Sequence, residues 1–204
     1  MWKVRFYKHM SKLIFYYGTM GSAKTANALI TRYQYIQNGR SVWLIKPATD
    51  TRDDRDSKTI IKSRIGLEAE ATAILDSDNL FMVFTKHWCY NMPDVIICDE
   101  AQFFSAAQID QLRDIATFLK IDVLCFGLKT NFMTHSFEGS ARLFELADEL
   151  VKLDNICDCG QPALVNARLG MSGNILTAGE NILIGGDDKY KAMCWKCYRQ
   201  QTEK

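Results

Sequence analysis

Leu13-Ile14-Phe15-Tyr16-Tyr17-Gly18-Thr19-Met20-Gly21-Ser22-Ala23-Lys24-Thr25 decides the fold. Its apolar and aromatic opening reads as a buried strand, and the chain turns at Gly18. Asn27, Ala28, Leu29, Ile30 and Tyr33 then follow at helical spacing. Strand, loop and helix are the context that a phosphate-binding loop of the form G-x-x-x-x-G-K-[ST] requires. Gly18, Lys24 and Thr25 meet that pattern, while Ala23 stands where the second glycine belongs. Successive backbone N–H groups and a helix N-terminus face an anion in such a loop. Lys24 reaches the outer phosphates, and the Thr25 hydroxyl can ligate magnesium. The plainer alternative is a glycine turn opening an ordinary helix. Motif and context together favour the phosphate loop. Ala23 costs on the order of 1 kcal/mol if that position needs positive φ, and almost nothing otherwise.

The first helix is expected from Lys24 to Gln37, stopped by Asn38-Gly39. Ser41–Ile45 reads as a second buried strand closed by Lys46-Pro47, and the spacing argues for a parallel sheet with right-handed crossovers. Asp50-Thr51-Arg52-Asp53-Asp54-Arg55-Asp56 alternates in charge and by position alone is a solvated loop, although it leaves the strand on the phosphate-loop side. Ser63–Leu67 reads as a short extended piece, residues 68–76 as helical, and Phe81–Trp88 as helix rather than strand.

Val95-Ile96-Ile97-Cys98 is a buried strand that ends in Asp99-Glu100. An apolar strand delivering an aspartate beside the magnesium of a phosphate loop is the Walker B arrangement. Neighbouring side chains on a strand point to opposite faces, so the two carboxylates have different tasks unless the strand has ended. Residues 105–119 form an amphipathic helix with Ile109, Leu112, Ile115, Ala116 and Leu119 on one face. Asp122–Phe126 is a strand, and Gly127–Gly139 is a polar, aromatic-studded loop of the size of an active-site lid. A helix over Ser140–Ala147 and a strand over Leu150–Leu153 complete an α/β domain, a parallel sheet with helices on both faces. Ligands of such sheets bind at the carboxyl ends of the strands.

The chain has 204 residues, 48% of them hydrophobic and 24% charged, and a formal charge of +1. That size allows one sizeable core and a small appendage. The near-neutral balance supplies no basic field, so a dedicated nucleic-acid binder is disfavoured. No apolar run is long enough to cross a membrane, no signal pattern opens the chain, and a cytoplasmic protein without a membrane partner is expected. Residues 1–11 read as an N-terminal extension, basic and aromatic, with no assigned function. Residues 12–153 are the nucleotide-binding domain and 154–204 a small metal-binding one. Cys89, Cys98 and Cys125 read as buried thiols of a reduced compartment. Cys157-x-Cys159 and Cys194-x-x-Cys197 form a four-cysteine zinc pattern, with the long gap read as a loop held at its base. Four thiolates leave no open position, so the zinc is structural.

Taken in order, several stretches resemble the type II (cellular and bacterial) thymidine kinases. They are Gly18–Thr25, Lys46–Arg52, Ser63–Leu67, Asp99-Glu100-Ala101-Gln102-Phe103, Gly127–Phe132, Phe137–Ser140, Cys157-x-Cys159-Gly160 and Ile184-Gly185-Gly186-x-x-x-Tyr190. The resemblance implies a P-loop, RecA-like domain with a zinc-ribbon-like lasso domain. It implies transfer of the γ-phosphate of ATP, held with Mg2+, to the 5′-hydroxyl of thymidine or deoxyuridine in nucleoside salvage. Glu100 matches the general base. Gly18, Thr19, Met20, Gly21, Ser22, Ala23, Lys24, Thr25, Asp50, Arg52, Asp99 and Gln102 fall on the nucleotide side, with Thr25 and Asp99 at the magnesium. Met20, Leu128, Phe132, Asn181, Ile182, Leu183, Ile184, Gly185 and Tyr190 fall on the nucleoside side, the last six in or beside a closing lasso. A homotetramer inhibited by thymidine triphosphate is also implied. Ala23 departs from the family's loop, and Asn131 stands where aspartate is common. The principal rival is a RecA-like ATPase in which Glu100 activates water and the zinc lobe binds nucleic acid. Residues 154–193 lack the basic, aromatic-interleaved stripe that such a lobe would carry.

Overall fold

The computed structural model describes residues 11–89, 91–179 and 189–203. Six strands form a parallel sheet: β1 (Leu13–Gly18), β2 (Val42–Pro47), β5 (Thr72–Ile74), β6 (Val95–Cys98), β7 (Asp122–Leu128) and β8 (Glu149–Leu153), in the order β5-β2-β6-β7-β1-β8. β7 therefore separates the phosphate-loop strand from the Asp99 strand, in a RecA-like α/β sheet. Alternation along the strands divides their side chains between two faces. Leu13, Phe15, Trp43, Ile45, Ile96, Cys98, Val123 and Cys125 pack on one face beneath α2 (Leu80–His87), α3 (Ala106–Asp114) and α4 (Glu138–Leu146). Leu44, Val95, Ile97, Leu124 and Phe126 pack on the other with Ala28 and Leu29 of α1 (Lys24–Gln37) and Ile61. A continuously apolar strand sequence is what a sheet covered on both sides needs.

α1 has the expected bounds, and Gly39 at φ +69 ends it by donating its N–H to the Ile36 carbonyl at 3.0 Å. The long helix expected at 105–119 is α3 followed by a π-helical turn over Ile115–Leu119, and Ser105 opens it with a reciprocal cap on Gln108. Two expectations fail between Ser63 and Ile74. Residues 68–76 are β4 (Glu68–Glu70) and β5, not a helix, and β4 pairs antiparallel with β3 (Ile60–Lys62). Glu and Ala favour helix locally, but Ala69 and Ala71 pack into the core and Ile74 is buried, so tertiary contacts prevail. Ser63–Leu67 is not extended; it is the turn of that hairpin, with Gly66 at φ +86 and the Ser63 N–H on the Leu67 carbonyl at 2.8 Å.

The chain after β8 builds a second sheet, order β10-β9-β11, from β9 (Val165–Leu169), β10 (Ile175–Leu176) and β11 (Tyr190–Met193), backed by α5 (Trp195–Thr202). The gap between the cysteine pairs thus contains, among the described residues, the three short antiparallel strands of this sheet as well as loop. Its core is small: Cys157, Val165, Ala167, Ile175, Met193, Cys194 and Tyr198. The expectations for residues 1–10 and for Asn181–Gly185 lie outside the described residues.

Candidate active site

β1 ends at Gly18 against the neighbouring strand. A Cβ there would lie 2.3 Å from Ser22 Oγ and 2.6 Å from the Leu153 carbonyl, so only glycine lets the loop leave at this angle. Gly21 and Ala23 both have positive φ, at 79° and 58°. Ala23 is the residue immediately before α1, so its methyl sits in left-handed backbone and carries the strain anticipated for that case. Lys24 Nζ donates to the Thr19 carbonyl at 2.7 Å. Burial pulls its ammonium down to about 8, while Glu100 and Asp99 work in the opposite direction.

β6 ends at Cys98, and the next two residues leave the strand. Glu100 adopts left-handed backbone (φ 51°, ψ 37°) at the head of a single 3-10 turn, Ala101–Phe103. Because the strand has ended, the opposite-face rule lapses and both carboxylates line one cleft. Non-glycine residues in this conformation cost on the order of 1–3 kcal/mol and cluster at functional sites. Burial, followed by the adjacent Glu100 charge, pushes the Asp99 carboxyl up to about 7, against its hydrogen bonds with the Thr25 hydroxyl and the Glu100 amide.

The cleft has a volume of about 660 Å³, within the usual range for small-molecule sites. Met20, Gly21, Ala23, Lys24, Thr25, Asp50, Arg52, Asp99, Glu100, Leu128, Phe132 and Tyr190 line it together. Gly18, Thr19, Ser22 and Gln102 do not. Thr19 Oγ1 is buried and, among the described residues, without a hydrogen-bond partner.

The acidic run after β2 is largely exposed, as expected, but its first residue turns inward. Asp50 is buried; its oxygens accept from Arg52 Nε at 2.6 Å and Nη2 at 3.2 Å, and Arg52 Nη2 also donates to Glu100 Oε1 at 2.6 Å. Behind Asp50, the buried Lys46 ammonium donates to Asp54 Oδ1 and the Ile60 carbonyl, each at 2.8 Å. A buried ammonium needs counter-charge, and Asp54 and Asp50 of the run supply it to Lys46. Burial opposes the charge on Arg52, but Asp50 and Glu100 outweigh it and hold the guanidinium above its ordinary range. Gln102 Nε2 donates to Glu100 Oε2 at 2.5 Å, while its Oε1 accepts from the Leu128 N–H at 2.9 Å. Each oxygen of Glu100 thus has one fixed donor.

The segment read as a lid is pinned down. Thr130, Asn131 and Phe132 are buried, and Asn131 Oδ1 accepts from the Met133 and His135 N–H groups, each at 3.0 Å. An aspartate there would accept the same two bonds, so the asparagine keeps the loop's shape. Sequence reasoning missed Arg64, Phe103, Phe137 and Asn166 of the cleft wall. Asn166 Oδ1 accepts from the Met20 N–H at 2.7 Å, and Asn155 Nδ2 donates to the Met20 carbonyl at 2.7 Å, tying the second sheet's lobe to the phosphate loop. Only the polarity of Asn166 inside the otherwise apolar run of residues 163–167 could have singled it out.

The four cysteine sulfurs lie within 4.8 Å of one another. A tetrahedral zinc with ~2.3 Å Zn–S bonds spaces its sulfurs by ~3.8 Å, and Cys159 Sγ and Cys194 Sγ are 3.6 Å apart. The Cys197 N–H points at Cys194 Sγ, 3.4 Å away. Hydrogen bonds from the Cys159 and Cys194 backbone pull the Cys157 thiol down to about 6, toward the thiolate that a metal requires. The cluster fits zinc.

A family profile described as thymidine kinase matches residues 11–198. The chain belongs to the thymidine kinase family. A thymidine kinase from Rhodopirellula baltica is 37% identical over 185 residues, covering 91% of this chain and 86% of that protein. The thymidine kinase of Enterobacteria phage T4 is 38% identical over 197 residues, covering 96% and 99%. One from Legionella pneumophila strain Philadelphia 1 is 38% identical over 192 residues, covering 94% and 90%. The cleft lining includes charged groups, among them Lys24 and Asp99, and aromatic ones, among them Phe132 and Tyr190.

Proposed function

We propose that this chain transfers the γ-phosphate of ATP to the 5′-hydroxyl of thymidine or of deoxyuridine. Supporting the reading, beyond family membership, is one geometric fact: the phosphate loop, Asp99, Glu100 and the aromatic wall share a single cleft. The loop amides and Lys24 receive the phosphates of ATP. Thr25 and Asp99 would hold Mg2+ with the nucleotide, which supplies charge neutralisation on the transferred group. Glu100 accepts the proton of the 5′-hydroxyl as the hydroxyl oxygen bonds to the γ-phosphorus and the bond to the bridging oxygen breaks, releasing ADP. Arg52 and Gln102 orient that carboxylate; Gln102 acts through Glu100 rather than on the nucleotide. Phe132, Leu128, Met20 and Tyr190 enclose the base, joined by Asn181–Gly185.

The reading divides the chain into a nucleotide domain (12–153) and a lasso domain (154–204) stapled by zinc on Cys157, Cys159, Cys194 and Cys197. It includes a homotetramer, feedback by thymidine triphosphate and a cytoplasmic setting. The test is ATP consumption by the purified, zinc-loaded protein with Mg2+, with and without thymidine. Thymidine-dependent turnover yielding thymidine monophosphate is expected. Hydrolysis independent of thymidine would replace the reading with an ATPase.

A further inference from the structure

Arg168 stands one layer behind the cleft, on β9, and only about 5% of its surface is exposed. Long cationic side chains are rarely buried this far unless specific partners hold them. Its guanidinium carbon lies 3.9 Å from the centre of the Phe132 ring, in stacking contact. Its Nε and Nη2 donate to the Tyr190 hydroxyl at 3.0 and 2.6 Å. Tyr190 is also its direct cross-strand partner in the β9–β11 pairing. Phe132 comes from the loop after β7 and Tyr190 from the start of β11. The one guanidinium therefore joins the two lobes. Both aromatic residues line the cleft and Arg168 does not. The Cβ direction of Gly179 points at the same group, 3.6 Å from Arg168 Nη1 and 3.9 Å from Phe132 Cζ. The chain entering the segment before β11 thus passes over the stack.

We infer that Arg168 is a positioning residue for nucleoside binding, setting the ring of Phe132 and the hydroxyl of Tyr190 at the spacing a pyrimidine nucleoside requires. The inference rests on the proposed use of this cleft for a nucleoside. Guanidinium geometry explains the residue type. A planar fork stacks on one ring and gives two N–H groups to one oxygen, whereas a lysine ammonium is a point donor without a face to stack. Lys24 and Asp99 lie on other elements, and β9 meets the phosphate loop through Asn166 rather than through the stack, so ATP binding is expected to survive the loss of Arg168.

The test is steady-state kinetics and direct thymidine binding for R168K, R168M, Y190F and R168M/Y190F in the zinc-loaded full-length protein. R168M is expected to raise the thymidine KM and Kd by about tenfold or more, the scale of a lost partner for a buried polar group. Its kcat at saturating thymidine and its KM for ATP should stay within about threefold, a spread of under 1 kcal/mol. R168K should not restore nucleoside affinity. The double variant should lose little more than R168M alone, because both remove the same link. A merely structural arginine would lower the melting temperature and shift both substrates' KM values together, and that outcome overturns the inference. So does unchanged thymidine binding in R168M, or additive losses in the double variant. Failure of the wild-type protein to bind or phosphorylate thymidine would instead sink the proposed function, which separates the two failures. If R168M does not fold, R168K decides, since it keeps the charge but not the planar fork, and thymidine binding at the parent's level in folded R168K overturns the inference.

Discussion

Two residues in left-handed backbone carry most of the chemistry at the residue scale. Ala23 at φ 58° holds a methyl where glycine would be free of strain. Replacing it by glycine should stabilise the protein by up to about 1 kcal/mol and keep or tighten MgATP binding. Thermal melting and nucleotide titration check both, and a large loss of affinity would mean that the loop is misread. Glu100 at φ 51° is strained in the same way, but there the strain points its carboxylate into the cleft between Arg52 and Gln102. Glu100→Gln should fold and bind both substrates while losing about 10²–10⁴-fold in kcat, the usual contribution of a general base. Near-normal turnover would remove Glu100 from that role. The sequence showed both residues to be special. It left the sign of φ at Ala23 open, because φ is set by how β1 and α1 are held apart.

Elements lock the site through their ends. A Cβ on Gly139, in the first turn of α4, would meet the Phe104 carbonyl at 2.5 Å and the Ala101 carbonyl at 2.7 Å. That glycine lets α4 press on the turn that carries Glu100. Gly139→Ala should cost about 1–3 kcal/mol of stability, as overpacking does, and lower kcat as well. Lost stability with intact kcat would mean that the turn does not feel α4. At the opposite end of the sheet, Asp94 fixes the start of β6 to the start of β2. It accepts from the Ser41 N–H at 2.7 Å, the Ser41 hydroxyl at 3.0 Å and Arg40 Nη1 at 2.8 Å. The Ser41 backbone bond, ahead of the other contacts, holds its carboxyl below the ordinary carboxylate value. A depressed folded-state pKa gives stability that is complete above the unfolded value and lost as pH falls through the folded one. Unfolding free energy measured from pH 6 down to 2 should therefore fall less steeply for Asp94→Asn than for the parent. Identical acid limbs would refute the assignment. The helices and buried strands were legible because apolar period and caps are local signals. The hairpin between Ile60 and Glu70 was not, because its Glu and Ala residues favour helix, and it is the pairing across the Ser63–Leu67 turn together with the packing of Ala69 and Ile61 on the sheet that makes them strand.

For the whole molecule, the second lobe has a small apolar core, and a core of that size rarely suffices without a metal or disulfide. Removing metal with a chelator should unfold the lobe around β9–β11 and α5, lowering the melting temperature. Thymidine affinity should fall more than ATP affinity, because Tyr190 and Arg168 belong to that sheet and the phosphate loop does not. Calorimetry and parallel titrations with and without metal check this, and equal losses for both substrates would contradict it. By itself the sequence determined the parallel sheet, the phosphate loop, the acidic pair and the four-cysteine centre. Each is written in neighbouring residues or in a fixed spacing. Only the tertiary structure decided that the charge run turns inward at Asp50, which meets Lys46 and Arg52 while Arg52 reaches Glu100, and that Arg168 joins two aromatic walls. The Arg52–Glu100 and Arg168–Phe132 contacts unite residues far apart in the chain, and a charge takes its meaning from whatever folding brings beside it.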